Sequence, residues 1–197
     1  MSLSHIFQSD QQGALIWRER HSPANGELEY AEASSYSTLG TGVAELHAGQ
    51  RGISTLAFSP NGALLATVDQ QRPGIVWIWS MQPAPSLESI LLHEQAVRQV
   101  AWHPQKQELL ITSANSVVAA VGHWSPNDHP SIARVPISRT ETGRYSVRWV
   151  ASEQADSLAF WFWSMDEYVA GYLVKAEGGR SRFQTIYSLN RKSQQCT

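Results

Sequence analysis

Short runs of apolar residues alternate with turn residues along most of the chain. Residues 55–58 are followed by Ser59-Pro60-Asn61-Gly62, where proline stops a strand ladder and Asn-Gly is a strong hairpin signal. Residues 63–68 then form a mostly apolar run typical of a buried strand, and residues 75–79 are β-branched and aromatic. Because residues 50–175 show no helical periodicity, the pattern predicts an all-β chain.

The apolar pattern repeats with a period of about 44 residues. Phe58 and Trp102 are 44 residues apart, and Trp79 and Trp124 are 45 residues apart. Within each copy the two aromatic residues are separated by 21 or 22 residues, and Trp149 opens a third copy 47 residues after Trp102. A repeat of this length with several strands per copy is typical of a β-propeller blade.

The third copy is aligned by its strands. Trp161-Phe162-Trp163 belongs to a central strand, and residues 168–174 form the last element of that unit. We therefore predict about three blades, over residues 50–92, 93–138 and 139–175. Residues 1–49 are expected to be an irregular N-terminal extension with a strand near 13–17. Residues 176–197 are expected to be a flexible basic tail, because Lys175–Thr197 carries five cations against Glu177.

The motifs of the repeat resemble those of WD40 repeats. Residues 56–67 (LAFSPNGALLAT) fit the central part of that pattern closely, whereas the closing Trp-Asp is replaced by Trp79-Ser80 and Trp124-Ser125. The Gly-His opening is reduced to Leu92-His93, so the buried His–Asp–Ser/Thr–Trp network that the resemblance implies is incomplete. The structural motif residues are Phe58, Pro60, Trp79, His93, Trp102, Pro104, Trp124 and Trp149.

A narrower resemblance comes from residues 52–60, 65–67, 73–79, 97–104 and 124–136. These blocks are similar to a spindle-pole and centrosomal WD-repeat family, known in vertebrates as encoded antisense to the p-seventy-three gene. The resemblance implies a non-catalytic protein-binding scaffold of the cytoplasm and cytoskeleton, located at the microtubule-organising centre or spindle pole body. It also implies two partners, a coiled-coil spindle-pole anchoring protein and a minus-end-directed kinesin.

The composition narrows the function classes. Lys and Arg number 15 against 17 Asp and Glu, so the net charge of −2 shows no like-charge excess of a nucleic-acid binder. The single cysteine, Cys196, excludes a disulfide scaffold and a Cys-rich zinc site. No apolar run reaches the roughly 18 residues of a membrane span, and the N-terminus lacks a secretory signal pattern. We expect no membrane partner.

The sequence offers no catalytic, cofactor-binding or metal-binding motif. The only G-x-G stretch, at residues 39–45, has Glu45 where a dinucleotide site needs a third glycine, and no phosphate-binding loop occurs. The seven histidines lack metal-ligand spacing, and no nucleophile elbow is present. We therefore predict a protein that is not an enzyme and takes no cofactor, metal ion or small-molecule substrate.

Protein contacts are expected at exposed cations and at one strand tryptophan. The tryptophans at 77, 79, 161 and 163 are assigned to packing between blades, but Trp77 and Trp79 share one face of a strand, so one of these two is expected to be a partly exposed contact residue. A cluster of arginines lies in one region between blades and consists of Arg134, Arg139, Arg144 and Arg148. This cluster leaves open an alternative function, a WD-repeat adaptor in a ribonucleoprotein or other nuclear complex. The candidate partner contacts are Arg72, Trp77, Arg134, Arg139 and Arg144.

The length is short for a closed propeller. At about 44 residues per blade, 197 residues suffice for about 4.5 blades, whereas closed propellers use about 4–8. Three recognisable blades would leave strand edges and an apolar blade face uncovered. We therefore expect the C-terminal portion of a longer propeller protein, a truncated gene model, or a chain that needs partners to close.

Overall fold

The computed structural model describes residues 13–33, 52–116, 118–138, 143–150, 158–175 and 181–190. These residues form fourteen strands and no helix, which confirms the all-β prediction. Because no described segment is a long apolar helix, none could cross a membrane in that form. The strands are β1 (Leu15–His21), β2 (Leu28–Glu32), β3 (Ile53–Phe58), β4 (Leu64–Asp69), β5 (Arg72–Ser80), β6 (Ser86–Leu92), β7 (Val97–Trp102), β8 (Leu109–Ser113), β9 (Ala120–Ser125), β10 (Asp128–Arg134), β11 (Ser146–Trp149), β12 (Phe160–Trp163), β13 (Glu167–Lys175) and β14 (Ser181–Asn190).

Three sheets follow one another along the chain, each built on a four-stranded antiparallel meander. The meanders are β3–β6, β7–β10 and β11–β14, which we call the first, second and third blade. The hairpin β1–β2 extends the first blade to six strands, because β1 pairs with β6 in parallel. The result is a partial β-propeller of three blades, as the repeat predicts.

Local chemistry explains the first hairpin of the first blade. The Gly62 amide donates to the Ser59 carbonyl at 2.9 Å, and Gly62 has a φ of 69°, a conformation that favours glycine. The Asn61 side-chain oxygen accepts a bond from the Ala63 amide at 3.1 Å. The Ser-Pro-Asn-Gly segment therefore turns the chain by satisfying its own backbone groups, and β4 begins immediately after it.

The core lies between successive blades. One apolar cluster joins the first and second blades through residues such as Ala66, Ile78 and Ile111, with Trp17 and Tyr30 of the hairpin β1–β2. A second cluster joins the second and third blades and includes Val121. A third lies on the other face of the first blade and contains Trp77 and Trp79. The first and second blades are therefore sheets that each bury one face against the next blade.

Two regions differ from the expectations drawn from sequence. Ser181–Asn190 is a strand, β14, where we expected a flexible tail. It pairs with β13, and its buried Phe183 lies 5.3 Å from Phe160, ring centroid to ring centroid. This apolar contact outweighs the polar composition of the segment. In the N-terminal extension, which we expected to be irregular, the strand expected near 13–17 is present as β1 and continues to His21, and a second strand, β2, pairs with it.

Candidate interaction surface

The repeat aromatic residues fix the spacing of the blades. Trp102 of the second blade donates its indole N–H to the Ala57 carbonyl of the first blade at 2.9 Å. Trp149 of the third blade donates to the Ala101 carbonyl of the second blade at 2.8 Å. Phe58 has the same repeat position in the first blade and is 52% exposed. The tryptophans therefore act as fixed contacts between blades, whereas Phe58 lies at one end of the arc.

Part of the network that the WD40 resemblance implies is present in the first blade. Trp79 donates its indole N–H to the Thr67 hydroxyl at 3.0 Å. His93 Nδ1 lies 3.1 Å from Glu19 Oε2, and His93 Nε2 lies 3.2 Å from the Tyr30 hydroxyl. Trp79 and Tyr30 belong to apolar clusters on opposite faces of the first blade, so the hairpin β1–β2 supplies a carboxylate to His93 in a second, separate set of hydrogen bonds. The sequence signal for this role was absent, because Glu19 is 74 residues from His93.

The electrostatics of this network favour an ionised Glu19 and a neutral Tyr30. Burial raises the pKa of the Glu19 carboxyl, but the hydrogen bond and charge of His93 and the bond from the Glu94 amide outweigh it, so the pKa is lowered. Burial, together with the nearby Glu19 charge, raises the pKa of Tyr30 well above its ordinary value. Tyr30 is therefore a structural hydrogen-bonding group, unsuited to act as a nucleophile.

The last sheet presents an aromatic and cationic face on the side away from the second blade. The strand register aligns these side chains because directly paired residues project from the same side of a sheet. Trp163 stacks on Tyr168 at 6.5 Å, and Trp161 meets Tyr187 edge to face at 6.0 Å. Tyr187 is 49% exposed. We call this the third-blade outer face, and its residues are Arg148, Trp161, Trp163, Tyr168, Arg182 and Tyr187.

A groove of about 1240 Å³ lies at the rim of the propeller. The turn of the hairpin β1–β2 forms one wall, and β10 and β14 form the others. Arg134 and Arg182 both line it, and Glu27 adds a carboxylate from the hairpin. The groove therefore mixes charges, and it brings the predicted contact Arg134 near β14.

The structure places the predicted contact residues differently from one another. Arg134 and Arg144 are exposed, Arg72 is half-buried, and Arg139 lies outside the described residues. Trp77 is only 1% exposed and Trp79 5%, so the expectation that one of them is partly exposed is wrong. Both belong to the cluster on the outer side of the first blade, where neighbouring apolar side chains cover them.

The remaining motif residues have structural positions, and the exposed tryptophans lie elsewhere. Pro60 and Pro104 lie in exposed turns, and Trp124 is buried and packs edge to face on Trp102 at 6.1 Å. Trp161 and Trp163, which the sequence assigned to packing between blades, are half-buried on the third-blade outer face instead.

Within the described ranges, no group of three or more His, Cys, Asp or Glu side chains is placed to hold a metal ion. His123 and Glu108 form a part-buried pair with no third ligand of that kind among the described residues.

Comparison with known proteins supports this fold. Over 105 residues the sequence is 34% identical to the WD repeat-containing protein WRAP73 of Mus musculus, covering 52% of this chain. The chain spans about a fifth, 22%, of the length of that relative. No protein-family model matches the sequence.

Solved structures share the architecture at low sequence identity. Sqt1 of Saccharomyces cerevisiae aligns with a TM-score of 0.54 and 13% identity, over 74% of this chain and 37% of that one. KlHsv2 with loop 6CD replaced by a Gly-Ser linker gives 0.52 and 10%, over 71% and 46%. The sequence repeat, the three blades and the similarity to a WD repeat-containing protein together show WD40-type repeats in a partial β-propeller fold.

Proposed function

We propose that this protein is a non-catalytic scaffold that binds other proteins at the spindle pole body or centrosome, where it helps to anchor microtubule minus ends or a kinesin. The observation that carries the scaffold role is the third-blade outer face. It combines Trp, Tyr and Arg, the residue types that dominate the energetic centres of protein interfaces. The location rests on the resemblance to the spindle-pole family and on the similarity to WRAP73.

The proposed partners are a coiled-coil anchoring protein and a minus-end-directed kinesin, and both can be sought directly. The tagged chain is expressed in dividing cells, imaged against a spindle-pole marker, and captured for mass spectrometry. We expect pole localisation and recovery of both partners. The double variant Arg148→Glu/Tyr187→Ser should lose the partners, because both side chains are exposed on the third-blade outer face.

The control is Arg98→Glu, an equal charge change at an exposed position of β7 in the second blade. It should leave localisation and capture unchanged. Diffuse localisation of the unaltered chain, together with recovery of RNA-processing factors and no spindle-pole protein, would overturn the proposal.

A second candidate function is a WD-repeat adaptor in a ribonucleoprotein or other nuclear complex. One observation favours it, since Arg148 is exposed on the aromatic third-blade outer face and Arg144 is exposed shortly before β11. Aromatic side chains on a sheet, with cations beside them, are also a means of stacking single-stranded bases. Capture before and after RNase treatment separates the two functions, because RNA-dependent partners are lost and direct protein partners are kept.

A further inference from the structure

The third-blade outer face differs from the corresponding faces of the other two blades. The pair of residues on the first and second strands that directly precedes the repeat aromatic residue is apolar in the first two blades, and the next blade covers it. In the third blade the same position carries an exposed arginine and a half-buried tryptophan. The aligned pairs are Ala57–Ala66, Ala101–Leu110 and Arg148–Trp161.

This substitution makes the face unsuited to a further blade of the same repeat. In the two blade interfaces of this chain, a tryptophan ring packs on the face that carries Ala57 or Ala101 and bonds to that residue's carbonyl. The bulk and charge of Arg148 and Trp161 occupy the space that such a ring needs. A blade packed here would also bury the Arg148 guanidinium, which is costly unless the charge is paired.

A second copy of the chain is also a poor match. Two copies joined through this face would bring Arg148 and Arg182 of each chain toward those of the other. Four strands about 4.8 Å apart and about 20 Å long cover only about 400 Å² per copy. The total of about 800 Å² is below the roughly 1,200–2,000 Å² of a stable protein interface.

Charge complementarity points to an acidic occupant. Arg148 and Arg182 stand at the inner and outer strands of the face, and the side chains of β11–β14 that project from it include no carboxylate. Glu167 projects from the opposite face and is bonded to Asn190 and the Ser138 hydroxyl. Sheet spacing places the two arginines roughly 20 Å apart, which is about six residues of extended chain.

We propose that the third-blade outer face binds an acidic segment of a partner protein, with carboxylates about six residues apart for Arg148 and Arg182 and apolar side chains between them for the aromatic rings. The inference rests on the proposed protein-binding function and specifies the chemistry of the partner. Burial of apolar side chains on Trp161, Trp163 and Tyr187 would supply most of the affinity. The arginines would select acidic partners and favour fast association.

The test uses the full purified chain and labelled synthetic peptides, with binding followed by fluorescence anisotropy. The probe is an 18-residue peptide of repeating Glu-Glu-Leu, and the comparison peptides replace every Glu by Gln or every Leu by Ser. A 15-nucleotide oligothymidylate tests for nucleic acid. We expect saturable binding of the Glu-Glu-Leu peptide, at least tenfold weaker binding of both comparison peptides, and still weaker binding of the oligonucleotide.

Chain variants locate the site. The double variant Arg148→Glu/Arg182→Glu should bind the Glu-Glu-Leu peptide at least tenfold more weakly. The variant Arg98→Glu should change the affinity for this peptide less than twofold. Circular dichroism and the melting temperature confirm that each variant is folded. The proposal is overturned by absence of saturable peptide binding, by equal affinity in both variants, or by tighter binding of the oligonucleotide. Pole localisation without peptide binding would contradict only this inference, whereas peptide binding without pole localisation would contradict only the proposed location.

Discussion

The second and third blades use equivalent faces of their sheets differently. In the second blade this face forms the interface with the third blade, and in the third blade it is the third-blade outer face. At the interface, Leu110, Val121 and Ala133 are at most 1% exposed, and Trp149 packs over them. On the outer face, aligned strand positions carry Arg148 and Trp161, both accessible to solvent. The difference teaches that equivalent faces of one repeat carry different side chains: the face on which another blade packs is apolar, and the third-blade outer face carries arginine and tryptophan.

The largest expected effect comes from breaking the interface. Trp149→Ala should lower the free energy of unfolding by about 3–5 kcal/mol, because a buried indole and its bond to the Ala101 carbonyl are lost. Trp161→Ala, on the outer face, should cost less than about 2 kcal/mol because that ring is already partly hydrated. Urea denaturation of both variants measures the contrast. Equal losses would mean that the outer face is as well packed as the interface.

The next effect tests whether β14 belongs to the third blade. Phe183→Ala should cost about 3–4 kcal/mol, since the ring is 6% exposed and packs against Phe160. Tyr187→Ala on the same strand, where the ring is 49% exposed, should cost about 1 kcal/mol or less. Chemical denaturation again provides the measurement. A Phe183→Ala variant as stable as the unaltered chain would restore the interpretation of this segment as a flexible tail.

A smaller effect is expected where the hairpin β1–β2 meets the first blade. Glu19→Gln should cost about 1–2 kcal/mol at neutral pH, because it removes the charge that bonds to His93. The pKa of Glu19 is lowered by folding, so its contribution is present above the ordinary glutamate pKa of about 4.3. That contribution is lost as the pH falls through the lower folded value.

The stabilities of the unaltered chain and Glu19→Gln should therefore converge as the pH is lowered from 7 toward 3. Denaturation at several pH values measures this convergence. Glu29→Gln is the control, because its pair with Arg20 is on the same hairpin but more exposed, and it should change stability by less than about 0.5 kcal/mol. If the difference in free energy of unfolding between the unaltered chain and Glu19→Gln stays constant with pH, the assigned role of the Glu19 charge is wrong.

The smallest expected effect on stability comes from a substitution on the third-blade outer face. Arg148→Glu should change the free energy of unfolding by less than about 0.5 kcal/mol, because the side chain is exposed on the third-blade outer face. Thermal unfolding followed by circular dichroism is sufficient. A loss of several kcal/mol would show that Arg148 supports the fold, and the outer face would then no longer be a surface free for binding.

Much of the fold could be predicted because its signals are local. The aromatic spacing of Phe58, Trp102 and Trp149 follows from the length of one blade, and each of these residues lies on the first strand of its blade. The Asn61-Gly62 turn could be predicted from the sequence because its hydrogen bonds are made within a few residues. The parts that could not be predicted depend on contacts between distant segments.

The candidate surface shows this limit clearly. Trp77 and Trp161 have similar neighbours in sequence, yet the first is buried and the second is half-buried on an end face. Exposure depends on what lies over the sheet, and strand periodicity carries no information about that. The pairing of β1 with β6 could not be predicted from the sequence either, because residues 15–18 form a parallel ladder with residues 89–92, which are distant in the chain.

The sequence by itself determined the repeat, the all-β class and the strands of the blades, because turn chemistry and apolar periodicity act over a few residues. Only the tertiary structure decided that Glu19 of the hairpin bonds to His93, that Ser181–Asn190 closes the third blade, and that Trp161 and Trp163 are half-buried beside the exposed Arg148. These outcomes depend on which sheet covers which, and burial against a distant segment is a property of the assembled fold.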